Sequence, residues 1–377
     1  MKKIGDSFKG ILGGIVFIII GIVLLWWYEG NNVRNLKTTA EMSKSYIDVS
    51  SETVNAENEG KLVATNGSLL NEQELVDTTF NVKQVTPVLR RVVEVYQWVE
   101  ESEDDNGDTR YTYKKEWNSS LIDSSNFHNS GHNNPTTKPY EDQTYTSTDV
   151  KVGAFSLSSN QINMLSTEGI YSTFDEETIT NLGYKVAGRY ATNSADINNP
   201  QIGDVRVSFE YNNSTEISVL AVQAGNSFVD FVSKAGKSVN RIMDGKHSGA
   251  EMIEVIKKEN KILKWALRAV GIVLITLGIA TMLKPISVTA GYVPVLGSIV
   301  GSAVGLISFI LGLAISLVVI AIAWVRFRPV LGISLLVVVV ALIVFLVIRG
   351  KNKKNGPVEY APFSEAKPSE PTDENQN

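Results

Sequence analysis

The sequence predicts an integral membrane protein with four transmembrane helices. A large α+β extramembrane domain, rich in antiparallel β-strands, lies between spans one and two. Two observations carry this. First, residues 11–27, 263–283, 295–323 and 329–348 are long apolar runs, with charge confined to Lys264 and Arg268 at the start of the second. A hydrocarbon core of about 30 Å takes roughly 20 helical residues to cross, and in lipid every backbone N–H and C=O must be satisfied within the segment, so such runs are helices. Second, residues 28–262 are as polar as a soluble domain and carry short β-branched and aromatic runs between turn signals, the pattern of an antiparallel sheet.

Composition narrows the function classes. The chain has 377 residues, a net charge of −5 and no cysteine. That balance gives no nucleic-acid footprint. Without cysteine there is no disulfide framework, thiolate nucleophile or cysteine–zinc site.

In chain order, residues 1–10 form a cytoplasmic N-terminus with Lys2, Lys3 and Lys9 ahead of the first run. That run reads as a retained span. The alternative, a cleaved signal peptide, calls for a shorter apolar stretch and small residues where Trp26, Trp27 and Tyr28 stand, and aromatics there fit an interfacial belt. Within the extracytoplasmic domain, residues 61–68 read as a strand. Residues 89–100 and 109–117 read as a β-hairpin around an Asn-Gly turn, with Tyr111, Tyr113 and Trp117 at even spacing. Residues 119–148 read as a long polar loop, and 183–191, 204–211, 216–223 and 228–232 as further strands. Ser248 and Glu251 have capping-box spacing, which starts a helix leading directly into span two. Pro285, Gly291 and Pro294 mark 284–294 as a cytoplasmic loop, 324–328 as a short outer turn, and 349–377 as a disordered cytoplasmic tail too poor in apolar residues to fold. Orientation follows from short-loop charge: Lys2, Lys3, Lys9, Lys284, Arg349, Lys351, Lys353 and Lys354 stand against Arg326 and Arg328 on the other side. Residues flanking a long loop weigh little, so the termini are expected in the cytoplasm and the domain outside or in a lumen.

Two patterns are candidate sites. Lys257, Lys261, Lys264 and Arg268 follow i, i+4, i+7, i+11 and share one helix face. Such a face is either solvated, with snorkelling side chains, or meets anionic lipid headgroups. Gly297, Gly301 and Gly305, extended by Gly312 and Ser316, make a small-residue face on span three, with a weaker pair, Gly10 and Gly14, on span one. Small residues let helices approach closely, within one chain or between copies. Catalytic signals are missing. His128 and His132 are four apart but lie in a Pro- and Asn-rich stretch without the Glu of a zincin motif, and His247 is isolated. No nucleophile elbow or Walker loop occurs, and no acid sits within a span, which argues against a coupled transporter. No enzyme activity, cofactor or metal is expected.

Several strings resemble the LUMA (transmembrane protein 43) family: YEGNNVRNLKTTAE (28–41), ENEGKLV (57–63), LRRVVEVYQWVE (89–100), YTYKKEW (111–117), GHNNP (131–135), GDVRVSF (203–209), VPV (293–295) and RFRP (326–329). The resemblance covers nearly the whole chain and implies four spans, a lumenal domain, cytosolic termini and no catalytic residues. Animal members sit in the endoplasmic reticulum and inner nuclear membrane, self-associate and are linked to emerin and lamins. This chain differs in its Asn-rich loops, its lack of cysteine and its longer acidic tail. The membrane expected is the plasma membrane in a prokaryote and the endoplasmic reticulum or inner nuclear membrane in a eukaryote. The function expected is a non-enzymatic membrane scaffold or organising protein, partnered by the bilayer, by other copies as a homo-oligomer and by other membrane or envelope proteins. An ion channel or channel subunit is the alternative, and an enzyme acting on lipid or envelope material a distant third.

Overall fold

The computed structural model describes residues 2–105, 108–290, 296–334 and 337. Two compact units are present, Met1–Ser316 and Leu317–Asn377. The helices are α1 (Lys2–Ser45), α2 (Ser159–Ile162), α3 (Glu176–Asn181), α4 (Gly249–Ala290) and α5 (Leu296–Phe327). Among the described residues three segments are long and apolar enough to cross a membrane: Gly10–Ser45, Gly249–Lys284 and Ala303–Phe327. The expected fourth span is helical over 329–334 and otherwise lies, apart from 337, outside the described residues, as does the tail.

Three helix boundaries depart from the sequence reading. The first span does not end at 27. α1 continues as a polar helix to Ser45 because its inward positions keep one repeat: Gly14, Ile18, Gly21, Leu25, Tyr28, Asn32, Asn35, Thr39 and Met42 alternate steps of four and three and are buried or half-buried. That 3.5-residue repeat keeps one stripe facing a partner helix. At the far end of α4, Pro285 does not break the helix, which runs to Ala290, so the expected loop over 284–294 is helical at its start. A proline removes one backbone bond, and in a membrane helix neighbouring groups compensate. The outer turn over 324–328 shrinks to Arg328, since α5 reaches Phe327 and helix resumes at Pro329.

The domain is built on two sheets, each seven-stranded among the described residues. The first runs Ser227–Val229, Glu216–Ala224, Leu62–Asn71, Val150–Val152, Phe155–Ser156, with Ile47–Asp48 and Arg241–Asp244 paired alongside. Side chains alternate across a strand, and this sheet is covered on both faces. Val63, Ile217, Val219 and Ala221 join Val152, Phe155 and Phe228 in one core. Leu62, Ala64 and Leu220 point the other way, onto Met42 of α1 and Met252 and Ile253 of α4. The outer ends of the two helices are therefore part of the domain's own core. At the junction a Cβ on Gly249 would clash with the Tyr46 ring and lie 2.7 Å from Ala64, and its N–H donates to Asp48 at 2.8 Å. The Ser248–Glu251 capping box forms there.

The second sheet runs Lys185–Ala187, Tyr190–Thr192, Val205–Tyr211, Val88–Asp105, Asp108–Asn118, flanked by Gly169–Ile170 and Gln143–Thr146. The expected hairpin is present and longer than read, with register from Val95↔Asn118 out to Asp105↔Asp108; residues 106 and 107 lie outside the described residues. Two expected strands divide. Residues 183–191 form a hairpin of two strands turning at Gly188, whose φ of +61° suits glycine, and 228–232 splits between two separate sheets. The expected loop over 119–148 contains a strand at Gln143–Thr146.

The core of this second sheet holds Phe80, Phe209 and Ile179, with Tyr184 set edge-on to Phe80 at 6.3 Å. Burial pushes the Tyr184 phenol up to about 12, with neighbouring Tyr140 adding to the effect. An unfolded tyrosine ionises near pH 10, so the folded chain holds this proton where the unfolded chain releases it. The resulting stabilisation is complete below pH 10 and is lost as pH rises towards 12. Melting followed by circular dichroism should show a fall across that window that is smaller in Tyr184→Phe.

Candidate functional site

α1 and α4 run antiparallel, and glycines set their separation inside the apolar zone. A Cβ on Gly14 would lie 2.5 Å from the Gly278 carbonyl oxygen, and one on Gly278 would lie 2.6 Å from that of Gly14. One turn-pair further out, a Cβ on Gly21 would meet Ile275 at 2.6 Å and the Gly271 carbonyl at 3.0 Å, while Gly271 receives Leu25. Both helices thus place glycines seven residues apart on the facing stripe, which is how backbones come close where lipid offers no hydrophobic drive.

Just beyond Trp26 and Trp27 the seam becomes polar. Glu29, 1 % exposed, accepts from Arg268 Nη2 at 2.5 Å and from Nε at 2.7 Å. The Arg268 guanidinium also lies 5.1 Å from the Trp265 ring centre. Further out, Asn35 donates to the Asn260 side chain at 2.7 Å, and Thr38 shares a hydrogen bond with Ser233 at 2.8 Å. Alongside these rungs lies an open groove of about 540 Å³. Asn32, Asn35 and Thr39 line it from α1, and Lys257, Asn260, Lys261 and Lys264 from α4, with Lys44 at its outer end. Asn32 is 4 % exposed, yet its Nδ2 meets no acceptor among the described residues.

The basic face predicted from spacing is therefore divided in use. Lys257, Lys261 and Lys264 border the groove, with Lys264 5.3 Å from the Trp265 ring centre, whereas Arg268 turns inward to a carboxylate. The glycine face of α5 divides as well. Gly312 and Ser316 are buried, and a Cβ on Gly312 would lie 2.9 Å from the Thr276 Cα of α4, so this part packs within the chain. A Cβ on Gly305 would meet nothing within 4 Å among the described residues. The surroundings of Gly297 and Gly301 lie outside the described residues. On α1, Gly14 sits in the seam while Gly10 is in ordinary contact with Thr281.

The distinctive strings of the domain serve as framework. Arg91 donates to buried Asp77 at 2.6 Å, and the Tyr145 hydroxyl does so at 2.8 Å. Arg206 forks onto Glu94 at 2.6 and 2.9 Å and lies 4.6 Å from the Trp117 ring centre and 4.5 Å from that of Tyr190. Asn134 of the GHNNP string bonds both the N–H and the C=O of Trp98, at 2.7 and 2.9 Å, completing that strand edge. His128 and His132 stack on Tyr111 and Tyr113 at 4.0 and 3.8 Å. The Tyr113 hydroxyl, which donates to Glu100, is held above its ordinary pKa by partial desolvation and then by that bond. Among the described residues no three His, Cys, Asp or Glu gather in a metal-binding set. Four Asn-x-Ser/Thr sequons occur in the domain: Asn212 is buried, Asn66 and Asn118 are half-buried and Asn213 is exposed.

The sequence profile described as transmembrane protein 43 matches residues 95–329. The transmembrane protein 43 of Homo sapiens is 28 % identical over 349 residues, 87 % of each chain, and that of Pongo abelii is equally similar over the same extent. A Drosophila melanogaster protein named transmembrane protein 43 homolog is 26 % identical over 341 residues, 85 % of this chain and 89 % of its own. No solved structure matches. A matched profile over more than half of the chain, with apolar helices long enough to span a bilayer, places this membrane protein in the transmembrane protein 43 family.

Proposed function

We propose that the protein is a non-enzymatic membrane scaffold: a stiff helical stalk holds the β domain at a fixed height on the extracytoplasmic side, and copies associate through the membrane. The observation that carries this reading is the continuity of α1 and α4 from the lipid zone into the domain core. Met42, Met252 and Ile253 pack directly on the first sheet, so the domain cannot swing independently of its anchor. A tethered enzyme or a module on a flexible linker needs no such junction. No described residue lies within 4 Å of a Cβ on Gly305, which supports the second half of the proposal, since a neighbouring copy could approach there.

The test uses the full chain in detergent and in liposomes. Light scattering and cross-linking should show an oligomer, and Gly301→Leu with Gly305→Leu should reduce it to a monomer with unchanged melting temperature. Unchanged oligomer size would remove α5 as the contact. Reproducible single-channel currents that these substitutions abolish would replace the scaffold by a channel. Surface-thiol labelling at Ser172, which is exposed, tests the side of the domain; Ser147 is unsuited to this, being buried against Gln73.

A further inference from the structure

We infer that a pocket at the junction of the two sheets binds a sugar ring through its hydroxyl groups. The chain passes between the sheets on both sides of this pocket. Leu62–Asn71 of the first sheet leads through Val85 and Pro87 into Val88–Asp105 of the second, and Val205–Tyr211 returns through Asn212 and Ser214 to Glu216–Ala224. The pocket holds about 300 Å³, and its lining includes Leu69, Asn71, Val85, Pro87, Asn212 and Ser214. That volume is about ten times one water molecule's share of the liquid and sits at the small end of ligand sites. It suits one ring rather than an extended chain.

Two unpartnered acceptors are the first reason. Asn212 is 4 % exposed, and its Oδ1 is buried without a donor among the described residues; the same holds for Oδ1 of half-buried Asn71. Neither amide can be turned end for end. Asn212 Nδ2 donates to the Ser166 carbonyl at 2.8 Å, and Asn71 Nδ2 to that of Gln73 at 3.0 Å. A carbonyl only accepts, so an exchanged amide would set oxygen against oxygen in both places. The backbone of Asn212 is satisfied, its N–H donating to the Val88 carbonyl at 3.0 Å and its carbonyl accepting from Thr86 Oγ1 at 2.8 Å. Buried polar groups are nearly always paired. One pocket bordered by two such asparagines calls for a ligand that brings two donors.

The chemistry of the lining is the second reason. The described residues around the pocket carry no formal charge. An anion would meet the two acceptors with acceptors of its own, and a divalent cation is usually held by carboxylates. A sugar ring brings hydroxyls that donate to the amide oxygens, while its C–H groups match Leu69, Val85 and Pro87. Both oxygens are turned from bulk water, so each amide must swing slightly outward about its bonded nitrogen to receive a hydroxyl. Val85 and Asn213, both exposed, leave the pocket open for the ring to enter. This inference concerns the β domain and is independent of self-association through α5.

The experiment uses the full chain in phosphatidylcholine nanodiscs, because sugar-headed detergents would compete for the site. Binding is read by saturation-transfer NMR and isothermal titration against glucose, galactose, mannose, N-acetylglucosamine, lactose and chitobiose. Sodium, potassium and calcium chloride are titrated separately. At least one of the sugars should bind at millimolar concentration. Asn71→Leu should weaken that binding about fivefold, the net worth of one hydrogen bond. Its melting temperature without sugar should be unchanged, since removing an unpaired oxygen offsets the lost bond to Gln73. Val85→Trp should fill the mouth and abolish binding, whereas Val229→Trp, on a similarly exposed residue that does not line the pocket, should leave it intact. Tighter binding of a disaccharide than of its monosaccharides would assign the pocket to a sugar within a glycan, and equal binding to a free sugar. Silence from every sugar would overturn the site. Undiminished binding in Asn71→Leu would do the same, as would equal losses in the two tryptophan variants. Saturable binding of a cation alone would give the two oxygens to an ion instead.

Discussion

Replacing Arg268 with leucine should lower the stability of the folded chain by about 3–5 kcal/mol, the cost of leaving one partner of a buried ion pair unpaired. Glu29 is 1 % exposed, and Arg268 contacts it at 2.5 and 2.7 Å. The leucine also forfeits the stacking of the guanidinium on Trp265. Nothing is lost from the hydrocarbon zone itself, since the substituted span is more apolar than before, so insertion should proceed and the defect should appear in melting temperature in detergent. The companion variant separates pairing from packing. In Glu29→Gln with Arg268→Met neither charge remains, and most of the loss should be recovered, because a buried pair contributes little beyond what its removal as a unit returns. Equal melting of Arg268→Leu and the parent chain would show that water reaches Glu29. Additive losses in the double variant would show that the two side chains act separately.

How much of this was legible in the sequence depends on the range of the interaction concerned. The hairpin over 89–117 and the strands at 204–211 and 216–223 were readable because β-branched runs and turn residues declare them locally. Ser248 and Glu251 likewise form their cap from neighbours three apart. The extension of α1 to Ser45 was not readable. Asn31, Asn32, Asn35, Thr38 and Thr39 have weak helix propensity, and their helix is held by contacts with α4 more than 200 residues away. The basic face was visible as spacing, but the inward turn of Arg268 depends on Glu29, 239 residues earlier in the chain. The groove needs both helices, so neither half signals it. Asn32 could have been noticed as a polar residue at a position that its own 3.5-residue repeat assigns to the interior.

The glycines illustrate the same limit and give the second large effect. Spacing of four marks Gly297, Gly301 and Gly305, whereas the seam between α1 and α4 uses spacing of seven: Gly14 with Gly21, and Gly271 with Gly278. Seven is the period of the left-handed antiparallel pair, and it is easily overlooked in an apolar run where glycine is common. Gly278→Leu should therefore be among the most damaging single changes. Its Cβ would fall 2.6 Å from the Gly14 carbonyl oxygen and 3.0 Å from the Ile18 nitrogen, both backbone atoms with no rotamer to change. Relief requires the helices to separate, which breaks the matching contacts at Gly21 and Leu25 and strains the Glu29–Arg268 pair. The cost should reach or exceed the upper end of the about 1–3 kcal/mol usual for overpacking. Gly305→Leu adds the same side chain where no described residue lies within 4 Å and should leave monomer melting unchanged, whatever it does to association between copies. A cysteine pair at Gly10 and Thr281, which are in ordinary contact, should cross-link in the parent chain and lose most of that cross-link when Gly278→Leu is added. Retained cross-linking together with an unchanged melting temperature would mean that α1 and α4 are not held by this glycine seam.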